Sequence, residues 1–379
     1  MCEFCERHAG NGQECGKDYP IKPCGNGDLG VRAEYIDGGI ILFKDHNIAS
    51  GYFDINFCPI CGRKIDQKNP DGENLIFERK SVMDVKRFDS GEGNVWKYVF
   101  TKADMVAEAV LYCYEDFYKR TVICCSTMSG CPVGCKFCGT GNKFVRNLTS
   151  AEIIEQIQDV LLDKGIEDVD TIGERFQIMF MSMGEPLLNW DNVSSAIKTL
   201  HDLYPNAELL LSTIAPNNRD AWDKLIRLSK DIPNIGLQFS IHKSTDAARN
   251  ILIPYKDKLT LKEIRDIGIV WWRETGRCPY LNYCIDGTNN TEEDSARLMN
   301  LFSPVIFNFT FSVVCSPNES MKDAGFRELS TVRSFEQSFA AQGYNTRIFN
   351  PDGQDDIGGG CGQLWYVQKW MKERGSNNK

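Results

Sequence analysis

Short unbroken apolar runs alternate along most of this chain with stretches in which apolar side chains return every three or four residues, the signatures of buried strands and amphipathic helices. From about Leu75 two β-like runs come first, residues 95–101 and 107–114, preceded by the turn-rich Asp89-Ser90-Gly91-Glu92-Gly93-Asn94; they predict a small β-hairpin region. Six further strands are predicted at residues 121–126, 176–183, 208–214, 235–241, 279–285 and 307–314. Helices fall between them, such as 150–164, where Ile153, Ile154, Ile157, Val160 and Leu161 share one face, and 260–275. Six β/α alternations imply an α/β fold with a parallel sheet, open or curled into a partial barrel.

Before residue 75 the pattern changes. Cys2, Cys5, Cys15, Cys24, Cys58 and Cys61 crowd the first 61 residues, and the polar stretch Gly62 to Asn74 has the composition of a linker. We therefore expect a module at 1–70, a β-hairpin adaptor at 71–120, a barrel at 121–350 and a terminal loop and tail at 351–379. The length of 379 residues, 42% of them hydrophobic, excludes a disordered chain and a disulfide-stapled miniprotein. No apolar stretch approaches a membrane span, and Met1 is followed by Cys2-Glu3-Phe4-Cys5 rather than an apolar leader, so the expectation is a cytoplasmic protein without a membrane partner. In a reducing compartment 16 cysteines at short spacings indicate metal, iron–sulfur or catalytic work. The net charge of −9 argues against indiscriminate nucleic-acid binding.

The strongest chemical signal follows the first parallel strand: Cys131-Pro132-Val133-Gly134-Cys135-Lys136-Phe137-Cys138. Three thiolates spaced C-x3-C-x2-C hold three corners of a 4Fe–4S cubane and leave the fourth iron open, able to chelate S-adenosylmethionine and pass it an electron. A zinc knuckle fits less well, because its spacing is usually C-x2-C and this loop joins a strand to a helix. Three strand ends carry further candidates: Gly184 and Glu185; Ser212; and Ser240, Ile241 and His242. Strand C-termini are where a parallel barrel builds its site. Glu185 can accept from an ammonium and the serines let a ligand approach; a helix-terminal acid and helix caps are the plainer alternatives, and for His242 a packed structural role is as good a reading.

These motifs together resemble the RlmN/Cfr family of radical S-adenosylmethionine RNA adenine methyltransferases, over roughly residues 97–364. The resemblance rests on the cluster loop, on Gly184-Glu185-Pro186-Leu187-Leu188-Asn189, on Leu211-Ser212-Thr213 and Ser240-Ile241-His242, and on Asp355-Asp356-Ile357-Gly358-Gly359-Gly360-Cys361-Gly362. It implies a partial (β/α)6 barrel, a 4Fe–4S cluster, S-adenosylmethionine, a reducing partner such as flavodoxin or ferredoxin, an RNA substrate and a monomer. It also implies roles. Adenine carbon 2 or 8 has no electrons with which to attack a sulfonium, so Cys361 is first methylated, a radical takes hydrogen from that methyl group, and the carbon radical adds to the base. Cys124 then resolves the protein–RNA crosslink by forming a disulfide with Cys361. Glu108 matches the general base that takes the substrate proton, although it stands three residues further from the cysteine strand than the family pattern expects. From the residues alone, Cys124 or Cys125 equally reads as a buried structural thiol, and Glu108 as a solvent-facing hairpin residue.

Two departures stand out. The family has an asparagine after the sixth strand; here Cys315 is nearest that place and Asn318 lies three residues on. The family's helical accessory domain is replaced by a segment whose knuckles, Cys2/Cys5 and Cys58/Cys61, read as a zinc ribbon, with Cys15, Cys24, His8 or His46 as possible substitutes and a set of free thiols as the alternative. Residues 1–70 carry 8 basic and 10 acidic side chains, which leaves the ribbon's partner undecided. Basic groups do border the expected site: Arg79, Lys80, Lys86 and Arg87; Lys136, Lys143 and Arg146; and Lys369, Lys372, Arg374 and Lys379 in the tail. Each is a candidate phosphate contact or a solvated surface. A radical enzyme acting on another nucleic acid, a nucleotide, a peptide or a small molecule, and a non-catalytic zinc and iron–sulfur protein that binds nucleic acid or senses redox state, are the competing functional readings.

Overall fold

The structure, a computed structural model, describes residues 19–21, 31–36, 40–45, 48–54, 83–91, 93–140, 143–166, 174–313, 329–349 and 357. The chain divides into two compact units, Met1–Lys80 and Ser81–Lys379. In the first, β1 (Tyr19–Ile21), β2 (Val31–Ile36), β3 (Ile40–Asp45) and β4 (Ile48–Asp54) form an antiparallel meander in sequence order. The four cysteines of the expected zinc knuckles lie outside the described residues.

The second unit is built on one ten-stranded sheet. Its parallel part comprises β8 (Arg120–Cys125), β11 (Phe176–Phe180), β12 (Glu208–Thr213), β13 (Ile235–Ser240), β14 (Tyr280–Ile285), β15 (Asn308–Val313) and β16 (Thr346–Phe349), neighbours in that order. The first six occupy the segments expected from the apolar runs. The seventh, β16, is only four residues long and adds a strand that the periodicity did not announce. On the other side β5 (Asp84–Asp89), β6 (Val95–Lys102) and β7 (Met105–Tyr114) continue the sheet antiparallel, β7 pairing directly with β8.

Side chains alternate across this sheet, as strand geometry requires. Ile123, Cys125, Ile178, Phe180, Leu209, Leu211, Leu237, Phe239, Leu281, Tyr283, Phe309 and Phe311 point to one face and join the main core. The covering helices are α1 (Ser150–Asp163), α2 (Trp190–Leu203), α3 (Arg219–Asp231), α4 (Asp246–Leu252), α5 (Leu261–Thr275), α6 (Glu292–Leu301) and α7 (Leu329–Ala340). Their starts are written locally. Thr149 with Glu152, Thr260 with Glu263 and Thr291 with Asp294 each close a reciprocal capping box, which satisfies backbone donors that the first helical turn leaves over. Among the described residues no helix is long and apolar enough to cross a membrane.

The opposite face lines the barrel interior and is divided. On the β6–β11 side it is mostly apolar: Val95, Val110, Tyr112, Val122 and Met179 cluster, with Cys124, Met181 and Leu210 against them, and Lys97 and Glu108 are the buried charged pair among them. On the β12–β16 side it is polar. Gln238 donates to Ser212 Oγ at 3.2 Å, and Arg347 donates to Gln238 Oε1 at 3.3 Å and Thr310 Oγ1 at 2.7 Å while stacking over Tyr280.

Candidate functional site

The cluster loop springs from a two-stranded ribbon, β9 (Met128–Gly130) paired with β10 (Phe144–Asn147). Gly130 has φ +75°, and a Cβ there would stand 1.7 Å from the Lys143 carbonyl oxygen, so only glycine lets the two strands meet where the loop begins. The Cys131 amide donates to that same carbonyl at 2.9 Å, and the Lys136 amide ties the loop to the Leu252 carbonyl at 2.9 Å. At the far end Arg146 holds Glu152 through two bonds of 2.8 Å, fastening β10 to the first turn of α1. That geometry keeps the Glu152 carboxyl down at about 2, with the Arg146 bonds as the leading favourable cause.

Cys131, Cys135 and Cys138 are half-buried on this loop. Burial pushes the Cys131 thiol up to about 12 and Cys135 well above its ordinary value, and the other loop thiols and Glu185 repel their thiolates further. Three coupled thiols beside a carboxylate form a donor set that a cation completes, which fits a cluster whose irons supply that charge. Among the described residues no three His, Cys, Asp or Glu side chains gather as a mononuclear metal site requires; a cubane spreads its cysteines over a wider triangle.

After Phe180 the chain leaves the sheet. Met183 accepts the Thr127 and Met128 amides on its carbonyl and the Gly130 amide on its sulfur, turning Gly184, at φ +103°, and Glu185 over the strand ends. Glu185 is buried. Its carboxylate accepts from Thr213 Oγ1 at 2.6 Å, the Ile214 amide at 2.8 Å and the Leu187 amide at 3.2 Å. Burial nevertheless outweighs these bonds and lifts the carboxyl from 4.5 to about 7. It is therefore a group that gains from a bound cation.

The neighbouring strand ends complete this edge. Ser212 and Ser240 bring their hydroxyls to 3.3 Å of each other. Arg249, fully buried, donates to the carbonyls of Ile214 at 2.6 Å and Leu259 at 2.8 Å, locking the loops that follow β12 and α4. His242, at φ +56°, accepts the Cys284 amide on Nδ1 at 3.1 Å and lies edge-on to Phe137 of the cluster loop. Burial and Arg249 drop its imidazole to about 3, so it is neutral with its proton on Nε2. Ile241 is buried in the main core, which leaves its backbone to face a ligand. A cleft of about 460 Å³ opens beside this edge, lined by Leu188, Pro216, Asn218, Arg219 and Tyr255 among others.

The adjacent cysteines of β8 part company. Cys125 points into the main core and is fully buried, with its thiol well above the ordinary value; Cys124, half-buried, points into the barrel interior. Ile357 is buried in the apolar cluster against which Cys124 packs. Glu108 lies on the interior face of β7 at the C-terminal end of β8, where its backbone amide and carbonyl both bond Ser126 Oγ. It is fully buried and not solvent-facing, and its Oε2 meets Lys97 Nζ at 2.8 Å.

The fold thus brings Cys131, Cys135, Cys138, Gly184, Glu185, Ser212, Ser240, Ile241 and His242 to one edge, with Cys124 and Glu108 on the interior wall. Asn318 and Cys361 lie outside the described residues. Arg249, Lys97 and the bond from Thr213, a member of the quoted motif, to Glu185 escaped the sequence reading. Only Lys97 carried a visible signal, a cation inside the apolar run 95–100 beside a strand with a lone acid.

The radical SAM superfamily model matches residues 125–268. A probable dual-specificity RNA methyltransferase RlmN from Heliobacterium modesticaldum is 31% identical over 287 residues, covering 73% of this chain and 72% of that protein. One with the same description from Thermus thermophilus is 32% identical over 287 residues, covering 74% and 76%. The crystal structure of a radical SAM methyltransferase from Sphaerobacter thermophilus superposes with a TM-score of 0.64 at 24% identity, over 75% of this chain and 81% of that one, a likeness of fold.

Proposed function

We propose, for a chain that belongs to the RlmN family of radical S-adenosylmethionine methyltransferases, that it methylates RNA at an amidine carbon of adenine, carbon 2 or carbon 8, by way of a methylated cysteine. The observation that carries the reading is the burial of Ile357 in the cluster against which Cys124 packs. Cys361 is four residue steps on from Ile357, a reach of at most about 14 Å. So short a reach supports a Cys361 that works together with Cys124, which is half-buried on the interior wall.

Cys131, Cys135 and Cys138 would hold the cluster, while Gly184, Glu185, Ser212, Ser240, Ile241, His242 and Asn318 would hold S-adenosylmethionine. When bound, the two supply a methyl group and a hydrogen-abstracting radical. The chain's own residues do the rest. Cys361 carries the methyl group to the base, Glu108 accepts the proton of the substrate carbon, and the apolar wall of Val95, Val110, Tyr112, Val122 and Met179 excludes water from the adduct. Once the adduct has given up that proton and also its odd electron, returned to the one-electron donor system, the Cys124 thiolate attacks the Cys361 sulfur. The sulfur–carbon electron pair withdraws into the amidine, a proton completes the methyl group, and a Cys124–Cys361 disulfide remains. Reductant from a flavodoxin- or ferredoxin-like donor restores both thiols, and the chain works as a monomer. The knuckle cysteines Cys2, Cys5, Cys58 and Cys61 bind zinc in a ribbon module at 1–70, ahead of an adaptor at 71–120, the barrel at 121–350 and the cysteine loop at 351–379.

Peptide mass spectrometry of anaerobically purified protein tests this. The expected result is one added CH2 on Cys361 and, in Cys124→Ala, nucleotide crosslinked to the same peptide; sequencing of the trapped RNA names the substrate. An unmodified Cys361 in protein with a full cluster that binds S-adenosylmethionine would remove the methyl-carrier step. One zinc per chain, lost in Cys58→Ser, is the matching expectation for the ribbon.

A further inference from the structure

We propose that Lys97 is the positioning residue that keeps Glu108 ionised on the interior face of the sheet, so that the base is charged before substrate arrives. The proposal rests on Glu108 being the base. The two side chains are both fully buried and their charged atoms stand 2.8 Å apart. Lys97 sits opposite Val110 of β7, which in turn sits opposite Cys124 of β8, so the three form one row across the interior face; Glu108 is in the next row toward the strand ends. Lysine, resolving cysteine and base therefore share one patch of wall.

Among the described residues, the following groups face Glu108. From β6 there is Lys97, from β8 Cys124 and the Ser126 hydroxyl, and from β9 only the uncharged Ser129, which bonds the Val106 amide. On β7 itself the same face adds Tyr112, in the cluster that also takes Ile357. The acids of α1, Glu152 and Glu155, belong to the element that packs on the opposite face of the sheet. Among the described residues Lys97 is thus the cation in direct contact with Glu108, and a buried carboxylate that loses so close a counter-ion takes up a proton more readily. A protonated acid cannot accept one more. The step served is a proton transfer: the substrate C–H bond breaks, its electron pair stays with the ring, and the proton passes to the Glu108 carboxylate.

The test is the pH profile of methyl transfer to RNA in the cluster-loaded enzyme, for wild type, Lys97→Met, Lys97→Gln, Lys97→Arg, Glu108→Gln and the double variant Lys97→Met/Glu108→Gln. Crosslinked RNA on the Cys361 peptide is a second readout, and release of 5′-deoxyadenosine certifies folding. We expect Lys97→Met and Lys97→Gln to lose at least tenfold at pH 7 and to regain about tenfold per pH unit as pH rises, the slope of one proton. Lys97→Arg keeps the wild-type profile, and the double variant is no slower than Glu108→Gln. Crosslink accumulates in Lys97→Met at pH 7 and clears at pH 9. A loss independent of pH, or one that multiplies in the double variant, overturns the role of Lys97 while leaving Glu108 as the base. Full activity of Glu108→Gln at every pH overturns the base assignment itself. Should Lys97→Met fail to fold, the Lys97→Gln and Lys97→Arg profiles decide.

Discussion

Replacing Gly130 by alanine probes whether the cluster loop depends on a backbone arrangement that only glycine permits. At φ +75° an alanine costs roughly 1 kcal/mol from its own Cβ and carbonyl sterics. The larger part is the clash within the ribbon: the new Cβ would lie 1.7 Å from the Lys143 oxygen and 2.7 Å from its carbon, so that carbonyl must retreat by about 1 Å or more. Retreat breaks the bond from the Cys131 amide, at about 1 kcal/mol, and exposes a donor in a half-buried loop at a similar cost again. The expected penalty is about 3 kcal/mol. Gly276, which ends α5 at φ +70° with nothing within 4 Å, supplies the control: Gly276→Ala carries the conformational cost alone, about 1 kcal/mol. Chemical denaturation of both cluster-free variants, followed by tryptophan fluorescence, measures the difference. Iron and sulfide per chain after anaerobic reconstitution measure whether Cys131 still stands in place. Equal penalties for the two variants, with undiminished iron in Gly130→Ala, would refute the reasoning.

Three further outcomes follow from the site. Affinity for S-adenosylmethionine should tighten as pH rises through about 7, where Glu185 ionises; because this carboxyl is raised from 4.5, the ligand-free fold correspondingly gives up stability between pH 4.5 and 7, and calorimetry on Glu185→Gln should show both dependences flattened. Glu152→Gln should cost about 1–2 kcal/mol at pH 7, discounted for the solvent that reaches Arg146; the carboxyl is lowered from 4.5 to about 2, so urea titrations should show its contribution complete above pH 4.5 and gone as pH falls through about 2. Cys125→Ser should cost about 1–3 kcal/mol and leave turnover intact, whereas Cys124→Ser should leave the melting temperature near wild type and abolish turnover.

Much of this was legible in order along the chain because the signals are local. Unbroken apolar runs announce strands buried on both faces, Thr149-to-Glu152 and Thr260-to-Glu263 spacings announce helix starts, and C-x3-C-x2-C announces the loop. What could not be read is set by tertiary registry. Four residues of β16 carry too little periodicity to separate from a turn. Arg249 earns its place through carbonyls 10 and 35 residues away, and Thr213 through an acid 28 residues back. The partnership of Lys97 with Glu108 depends on the hairpin pairing that sets Val99 opposite Glu108. Likewise the choice between Cys124 and Cys125 is one of pleat parity, fixed once β8 is placed between β7 and β11.

The antiparallel strands beside the barrel also decide how this protein lives in company. Without them β8 would end the sheet, and its apolar Thr121-Val122-Ile123-Cys124-Cys125 would offer open backbone donors and acceptors to any passing strand. The three added strands move that border outward to β5, whose mostly exposed Asp84, Lys86, Arg87 and Asp89 make it a poor template for sideways association. A fragment begun after Tyr114, cut to isolate the parallel barrel, would therefore lose solubility as well as Glu108, because the trim uncovers a sticky selvedge that the whole chain keeps hemmed.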